Sequence, residues 1–259
     1  MTKVSVVTVN YNMRNDLLRT VASVREQIFP NVEYVVVDGG STDGSRDILE
    51  TSLPSGTLWV SERDAGIYDA MNKGVRMSSG DWLIFMNSGD VFHDARVIDD
   101  IFAIPHTADL IYGDKVWHYP DLQFTRFVPA EPPAVLPYRM NCSHQSLFAR
   151  RELLMRHPFR TDMVAGDYAF LLDMWIERAQ FEHVNRTVCI GDAGGISDRK
   201  RLESLRQRMA LVRAAGLMSP RVRLSYAGMA LRAMAGNWLR TVLPASLVKK
   251  LLRLKRGSI

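Results

Sequence analysis

Short apolar runs alternate with helical patterns over the first third of the chain. Residues 4–9, 32–37, 57–61 and 82–86 are mostly apolar stretches of strand length, and the segments between them repeat apolar side chains at helical spacing. Parallel neighbours in a sheet need such a crossover segment between them. The pattern therefore predicts an α/β fold with a Rossmann-like, mostly parallel sheet flanked by helices.

The pattern changes after residue 90. Residues 110–117 and 123–128 predict an antiparallel pair of strands, and residues 181–190 predict a further strand. Helices are predicted at residues 151–155 and 167–178. From about residue 202 onward the chain is helical in pattern and rich in basic residues, which predicts a basic C-terminal helical extension.

Charge is distributed unevenly between the body and this extension. The chain of 259 residues has a formal net charge of +5, but residues 204–259 contain 12 Lys and Arg and no Asp or Glu. The residues before them carry 21 basic and 28 acidic side chains. A basic tail on an acidic body predicts an anionic partner, either a membrane surface or a nucleic acid.

Residues 247–256 favour the membrane over the nucleic acid. On a helical wheel their leucines and valine share one arc, and most of their basic residues lie opposite. Such a helix is typical of proteins that lie in a membrane interface and bind anionic lipid. The alternative is a helix that packs its apolar face on the body and leaves its charges in water. We expect the membrane arrangement, with no nucleic acid as a partner.

Nothing in the sequence predicts export. The apolar run at residues 4–9 is too short for a signal peptide or a membrane span. Two cysteines, Cys142 and Cys189, give neither a disulfide framework nor a zinc-binding pair. We therefore expect a cytoplasmic protein that is held peripherally at the inner face of the cell membrane by its basic helices.

Polar residues follow three of the predicted strands at the point where each strand ends. Tyr11 and Asn12 follow the first strand. Asp38 follows the second, and Asn87 and Asp90 follow the fourth. Ligands of open α/β sheets bind beside the carboxyl ends of the strands, where an aromatic ring can stack on a base and a carboxylate can bind a sugar or a metal. Asp90 could equally be an ordinary turn residue, because Asp and Gly are common in turns.

The glycine-rich segment at residues 39–44 excludes two common nucleotide sites. It has neither the GxGxxG spacing of a dinucleotide site nor the GxxxxGK[ST] spacing of a P-loop. Because the P-loop lysine is missing, ATP hydrolysis is not expected.

Several stretches of the chain resemble glycosyltransferase family 2, whose members have the GT-A fold. In the first 115 residues they are VSVVTVNYN at 4–12, VVVDGGSTDG at 35–44, DAGIYDAMNKG at 64–74 and FMNSGD at 85–90. Three later stretches are similar to a bacterial subgroup of polysaccharide and glycolipid transferases. These are CSHQSLF at 142–148, GDY at 166–168 and GGIS at 194–197.

The resemblance implies a GT-A domain over residues 1–200, with a nucleotide-sugar-binding half at 1–115 and an acceptor half at 116–200. Residues 201–259 would then be the basic helical extension. The implied reaction is an inverting transfer of a hexose-type sugar from a nucleotide-diphosphate sugar to a hydroxyl of a lipid-linked or cell-surface glycan or glycolipid. The alternative is a non-catalytic module that binds a nucleotide sugar or a membrane lipid.

The resemblance also assigns residues of the nucleotide site. Tyr11 and Asp38 would contact the base of the nucleotide. Asp64 and Lys73 would lie near its ribose or its phosphates. All four belong to the motif stretches of the nucleotide-sugar-binding half.

Asp90 matches the metal-binding aspartate of the family, which holds Mn²⁺ or Mg²⁺ between the donor phosphates. The sequence departs from the family there, because Asn87 and Gly89 stand where acidic residues are common. Asn87 is then expected to contact the donor, and His144 to help hold the diphosphate or the metal. His144 could equally be a structural histidine.

Asp167 falls where the family has its catalytic base. It begins a predicted helix, where the helix dipole favours an acidic side chain for structural reasons as well. We expect burial to raise the pKa of Asp167, so that the carboxylate can accept the proton of the attacking hydroxyl.

Overall fold

A computed structural model describes residues 2–120, 123–193 and 200–242. The strands in these ranges are β1 (Val4–Asn10), β2 (Val32–Asp38), β3 (Leu58–Ser61), β4 (Trp82–Phe85), β5 (Val91–Phe92), β6 (Leu110–Tyr119), β7 (Phe124–Val128), β8 (Leu147–Arg150) and β9 (Phe181–Asp192). The α-helices are α1 (Arg14–Arg25), α2 (Ser45–Thr51), α3 (Ile67–Met77), α4 (Val97–Phe102), α5 (Arg151–Arg156), α6 (Gly166–Ile176), α7 (Arg201–Ala214) and α8 (Pro220–Val242).

All of these strands join one mixed sheet. Its order is β3-β2-β1-β4-β8-β6-β9-β5, and β7 pairs with β6 beside this path. β1 pairs in parallel with β2 and with β4, and β2 pairs in parallel with β3. The predicted parallel sheet is therefore confirmed for β1 to β4, and so is the antiparallel pair of β6 and β7.

β8 connects the parallel and antiparallel parts of the sheet, and the sequence pattern does not predict it. It pairs antiparallel with β4 on one side and with β6 on the other. It has only four residues and runs directly into α5, so its pattern is too short to separate from that of the helix. Its position matters because the short 3₁₀ helix before it, His144–Ser146, is thereby brought beside β4.

Strands β1, β2 and β4 of the parallel part bury both of their faces, which explains their nearly continuous apolar runs, whereas β3 at the edge of the sheet is partly exposed. One face packs against α3, α5 and α6 and includes Val7, Val35 and Phe85. The other face packs against α1, α2 and α4 and includes Val6 and Ile84. Successive residues of a strand point to opposite faces, and the two clusters follow this alternation.

Helices α7 and α8 pack against the body. Val212 of α7 and Tyr226 of α8 are buried in the same hydrophobic cluster as α3 and α6. In addition, the side-chain oxygen of Gln207 accepts hydrogen bonds from the N–H groups of Val164 and Ala165, at 2.8 and 3.1 Å. Both helices are therefore fixed beside the loop that leads into α6.

The predicted membrane helix at residues 247–256 lies outside the described residues, so the basic extension as a whole is not confirmed. The described part of the extension consists of α7 and α8, and α8 ends at Val242. Within the ranges that the structure describes, no helix has the length and apolar character needed to cross a bilayer.

Candidate active site

Asn10 joins the ends of three strands at one edge of the sheet. Its side-chain nitrogen donates a 2.7 Å hydrogen bond to Oδ1 of Asp38, at the end of β2. Its side-chain oxygen accepts a 2.8 Å hydrogen bond from the hydroxyl of Ser88, which follows β4. The ends of β1, β2 and β4 therefore meet at one edge of the sheet, as predicted. The sequence pattern does not predict that Asn10 connects them through hydrogen bonds.

Tyr11, Asp64 and Lys73 lie around Gly39, directly after β2. A methyl group at Gly39 would be 3.1 Å from Oδ2 of Asp64 and 3.2 Å from the ring of Tyr11. The ammonium group of Lys73 forms a 2.5 Å ion pair with Oδ1 of Asp64. The side chain of Tyr11 is 65% exposed, so its ring is accessible to a flat ligand. We call Tyr11, Asp38, Asp64 and Lys73 the β2 cluster.

Asp38 is fully enclosed within this cluster. Its carboxylate accepts hydrogen bonds from Asn10, from the N–H and hydroxyl of Ser41, and from the hydroxyl of Ser61. Burial opposes ionisation, but these hydrogen bonds outweigh it and hold the pKa of Asp38 below its ordinary value. Asp38 thus lies at the predicted edge of the sheet and holds the loop after β2 in place. Its carboxylate can bind a nucleotide base only if the base replaces one of these hydrogen-bond donors.

The turn after β4 positions Asp90 at the same edge. Gly89 has a φ of +97°, a left-handed conformation that favours glycine, and the N–H of Asp90 donates to the carbonyl of Asn87 at 2.8 Å. The hydroxyl of Thr20 in α1 stabilises the turn, because it donates a hydrogen bond to the carbonyl oxygen of Asp90 at 2.8 Å. Asp90 is therefore a turn residue and a member of the site at once.

Asp90 is buried beside Gln145 and Lys115, and neither of them is predicted from the sequence. Gln145 donates to Oδ2 of Asp90 at 3.0 Å and accepts from Nζ of Lys115 at 3.1 Å. The ammonium group of Lys115 is buried and lies 3.5 Å from the ring centroid of Trp117. A methyl group at Gly191 would lie 2.5 Å from Oδ1 of Asp90 and 2.9 Å from Nζ of Lys115, so glycine leaves room for both. Burial raises the pKa of Asp90, and the charge of Lys115 opposes that rise.

His144 links the turn after β4 to α6. Its Nε2 lies 3.0 Å from Nδ2 of Asn87, and its Nδ1 lies 3.3 Å from Oδ2 of Asp167. Because an amide nitrogen only donates, Nε2 accepts, and the imidazole donates from Nδ1 to Asp167. The side-chain oxygen of Asn87 is buried without a hydrogen-bond partner among the described residues. We call Asn87, Asp90, His144 and Asp167 the His144 cluster.

Asp167 lies in the first turn of α6 and is buried. Its Oδ1 accepts hydrogen bonds from the hydroxyl of Tyr68 at 3.0 Å and from the N–H of Tyr168 at 2.8 Å. The expectation of a raised pKa is wrong. Burial acts in that direction, but the hydrogen bond from His144 and the positive charge of Arg208 outweigh it and lower the pKa of Asp167 to about 2. The carboxylate is therefore ionised at neutral pH, as a proton acceptor must be.

Tyr68 and Arg208 complete the surroundings of Asp167, and sequence reasoning assigns neither of them to the site. Tyr68 belongs to α3, so its hydroxyl connects α3 to α6. Arg208 belongs to α7, and its guanidinium group lies 5.0 Å from the ring centroid of Tyr168. Its Nε is buried without a partner among the described residues, so an unused cationic donor remains near Asp167.

The donor atoms beside Asp90 fit a divalent cation that takes most of its ligands from a substrate. Within the described residues, no three His, Cys, Asp or Glu side chains form a group that could hold a metal by themselves. Mg²⁺ sites commonly use one or two carboxylates and complete the shell with water and phosphate oxygens. Asp90 supplies one carboxylate, and the unpartnered side-chain oxygen of Asn87 is a second oxygen donor. These two residues would hold the cation together with a diphosphate.

Structures solved with bound nucleotide sugars share this architecture. TarS of S. aureus in complex with UDP-GlcNAc matches with a TM-score of 0.65 over 94% of this chain and 77% of that chain, at 17% sequence identity. The mannosyltransferase PcManGT of Pyrobaculum calidifontis, in complex with GDP-Man and Mn²⁺, matches with a TM-score of 0.63 over 99% of this chain and 80% of that chain, at 17% identity. The fold is that of the GT-A glycosyltransferases, and the predicted fold class is confirmed.

The family model for glycosyl transferase family 2 matches residues 5–159, which is more than half of the chain. The chain belongs to glycosyl transferase family 2, and the resemblance seen in its motifs is confirmed. The matched segment contains the β2 cluster and most of the His144 cluster, but it ends before Asp167.

Two mycobacterial relatives illustrate how far the sequence similarity extends. A PGL/p-HBAD biosynthesis glycosyltransferase of Mycobacterium tuberculosis is 31% identical over 155 residues, which cover 58% of this chain and 59% of the relative. An uncharacterized glycosyltransferase of the same organism is 44% identical over 96 residues, which cover 37% of each chain. The chain thus spans a little over half the length of the first relative and less of the second.

Proposed function

We propose that this chain is an inverting glycosyltransferase that moves a hexose-type sugar from a nucleotide-diphosphate sugar to a hydroxyl of a lipid-linked or cell-surface glycan or glycolipid. The observation that carries the proposal is the His144 cluster. It brings an ionised carboxylate of α6 next to the turn that presents Asn87 and Asp90 at the strand ends. Membership of glycosyl transferase family 2 supports the transfer chemistry.

In the proposed reaction, the oxygen of the acceptor hydroxyl attacks the anomeric carbon of the donor sugar. A new C–O bond forms there, the bond between the anomeric carbon and the phosphate oxygen breaks, and the nucleoside diphosphate leaves with the electron pair. Asp167 accepts the proton of the hydroxyl. Because the attack comes from the side opposite the leaving group, the anomeric configuration inverts.

The other residues of the His144 cluster position the reacting groups. Nδ1 of His144 donates to Asp167 and so orients the carboxylate. Asp90 and Asn87 would hold a divalent cation, which when bound neutralises charge on the leaving diphosphate. Lys115 adds a buried positive charge behind Asp90, connected to it through Gln145.

The β2 cluster is proposed to bind the nucleotide. The exposed ring of Tyr11 can stack on the base, and the ion pair of Asp64 with Lys73 lies beside it, near the expected position of the ribose and phosphates. Asp38 supports this surface from below through its hydrogen bonds to Ser41 and Ser61. The complexes of TarS and PcManGT with nucleotide sugars support the donor class through the shared fold.

The distribution of charge along the chain supports a membrane location for the enzyme and a lipid-linked acceptor for the sugar. Residues 204–259 carry 12 Lys and Arg and no acidic side chain, which favours the anionic inner face of the cell membrane as the place of work. A lipid-linked acceptor would be presented to a peripheral, cytoplasmic enzyme at that surface. The relative that is named for PGL/p-HBAD biosynthesis supports a biosynthetic role.

A screen of nucleotide sugars with the full chain tests this function. Each donor is added with and without Mn²⁺, and both the release of nucleoside diphosphate and the thermal stabilisation of the protein are measured. We expect one donor to stabilise the protein and to release its diphosphate, and Asp167→Asn to stop the release while stabilisation persists. Stabilisation without release or transfer by the wild-type chain would instead favour a non-catalytic nucleotide-sugar-binding module.

A further inference from the structure

Helix α8 is apolar on two opposite faces, and only one of them is used by the fold. Val222, Tyr226 and Ala233 lie on the inner face and are buried against the body. The hydroxyl of Tyr226 lies 3.2 Å from that of Tyr168 in α6, which fixes the rotation of the helix about its axis. The outer face must therefore point away from the body.

The outer face of α8 exposes large apolar side chains. Leu224, Leu231 and Met234 are 76%, 67% and 57% exposed. Two exposed alanines belong to the same face of the helical wheel, Ala227 between Leu231 and Met234 and Ala235 beside Leu224. Leu224 and Leu231 are two helical turns apart, so they form a line along the helix. A line of exposed leucines on a helix is not required for folding, and contiguous apolar surface of this kind marks an interaction site.

Arginines border this apolar face. Arg221 and Arg232 lie on one side of it and Arg223 lies on the other, and all three are exposed. None of the three forms an ion pair with a carboxylate in the part of the chain that the structure describes. No acidic residue occurs after Glu203, so the positive charge of this face is not neutralised by the sequence around it.

We propose that the outer face of α8, formed by Leu224, Leu231 and Met234 between these arginines, docks on an anionic membrane surface. The apolar side chains would enter the boundary between headgroups and acyl chains, and the arginines would reach the lipid phosphates. A second copy of this chain fits the face less well, because pairing two such helices would bring arginines together. A nucleic acid would match the arginines but would leave the leucines in water.

The proposal rests on the exposure and charge of α8, independently of the sugar transfer. It nevertheless places the membrane close to the proposed base. Tyr226 on the inner face of α8 contacts Tyr168, which is the residue next to Asp167. A helix lying on the bilayer would therefore hold α6, and with it the site, near the headgroups where a lipid-linked acceptor resides.

Vesicle flotation of the full chain tests the proposal. The probes are vesicles of phosphatidylcholine alone and of phosphatidylcholine with phosphatidylglycerol. We expect flotation only with the anionic vesicles, and a decrease of about tenfold or more in vesicle affinity for the triple variant Leu224→Gln, Leu231→Gln, Met234→Gln. The matched control is Ile104→Gln, which changes a side chain that is 61% exposed on the body and should leave the affinity unchanged.

Two results would overturn the proposal. If the triple variant floats as well as the wild type, residues outside this face provide the binding. If the wild type forms a dimer in sedimentation analysis without lipid and the triple variant is monomeric, the face is an interface between copies. A fluorescent label at Leu231→Cys gives an independent readout, because Cys142 and Cys189 are buried. Its emission should shift to the blue on anionic vesicles, whereas the same label at Ile104→Cys should not shift.

Discussion

The β2 cluster and the His144 cluster differ in how their carboxylates are neutralised. In the β2 cluster, Asp38 is surrounded by hydrogen-bond donors and Asp64 forms an ion pair with Lys73. In the His144 cluster, Asp90 has a raised pKa because burial is incompletely compensated, and the side-chain oxygen of Asn87 has no partner among the described residues. In the β2 cluster, Asp38 and Asp64 have partners without any ligand. In the His144 cluster, the charge of Asp90 is incompletely compensated and the side-chain oxygen of Asn87 has no partner among the described residues.

This difference indicates that the two clusters do different work. A surface whose charges are already balanced can bind a ligand without rearranging, which suits recognition of a nucleotide. A site that has an uncompensated carboxylate and an unpartnered oxygen gains the most free energy when a cation and a diphosphate bind. Unpaired buried polar groups are costly, and the cation gives these oxygens a partner.

Removing the carboxylate of Asp167 should have the largest effect on catalysis. Asp167→Asn keeps the shape of the side chain but cannot accept the proton, so we expect kcat to fall by about 10³-fold. Donor affinity, measured by calorimetry with the donor found in the screen, should change little. A large loss of donor affinity with normal turnover at saturation would contradict the division between the two clusters.

Asp90→Asn should weaken both donor binding and turnover. The amide oxygen is uncharged and binds a divalent cation more weakly than the carboxylate does, so we expect affinity for the nucleoside diphosphate in the presence of Mn²⁺ to decrease about 100-fold. Without Mn²⁺ the variant and the wild type should bind the diphosphate similarly. Equal affinities under both conditions would remove Asp90 from the metal site.

Lys115→Met tests whether the buried charge behind Asp90 supports the diphosphate. We expect binding of the nucleoside diphosphate without a divalent cation to weaken about tenfold, because a fixed positive charge is lost from a site of low polarity. The exposed Lys200 provides a matched control, since Lys200→Met removes the same charge from the surface. If both substitutions weaken diphosphate binding equally, the net charge of the protein determines the affinity and the position of Lys115 does not.

Tyr11→Ala should act on recognition alone. Loss of the stacking surface should raise the KM for the donor about tenfold and leave kcat nearly unchanged. Phe127→Ala removes another exposed aromatic ring, far along the chain in β7, and should change neither constant. A decrease in kcat for Tyr11→Ala would show that the β2 cluster also takes part in the chemistry.

The smallest effect is on stability and comes from Glu33 in β2. Hydrogen bonds from Lys3, Ser5 and Ser79 outweigh its burial and lower the pKa of Glu33 to about 2, from an ordinary value of 4.5. Its contribution is therefore complete above about pH 4.5 and is lost as the pH falls toward 2. Glu33→Gln should reduce the free energy of unfolding at pH 7 by about 2 kcal/mol and flatten its acid dependence, as measured by urea unfolding between pH 3 and 7.

The sequence predicts β1, β2 and β4 well because these strands are buried on both faces and have nearly unbroken apolar runs. The edge residues Tyr11, Asp38 and Asp90 could be found for the same reason, since each lies at the end of such a run or in the turn that follows it. Lys115 gives only a weak signal, a lysine inside the apolar pattern of β6. Its partner Gln145 gives none, because their contact depends on how β6, β8 and β9 pair.

The pKa of Asp167 could not be predicted for a related reason. Burial was foreseeable from the position of Asp167 in the chain, but the direction of the shift depends on which groups face the carboxylate. His144 lies 23 positions away and reaches it only because the 3₁₀ helix before β8 lies beside β4. Charge compensation across such a distance is decided by tertiary packing, which no local pattern encodes.

The hydrogen bonds that Gln207 accepts from Val164 and Ala165 have a practical consequence for shortened versions of this chain. A version ending near residue 200 would contain all the motifs of the family and yet leave two backbone donors before α6 unpaired. It would also expose the core around Val212. Such a fragment should aggregate on purification or be inactive although its motifs are intact, so efforts at expression and crystallisation should retain α7 and α8.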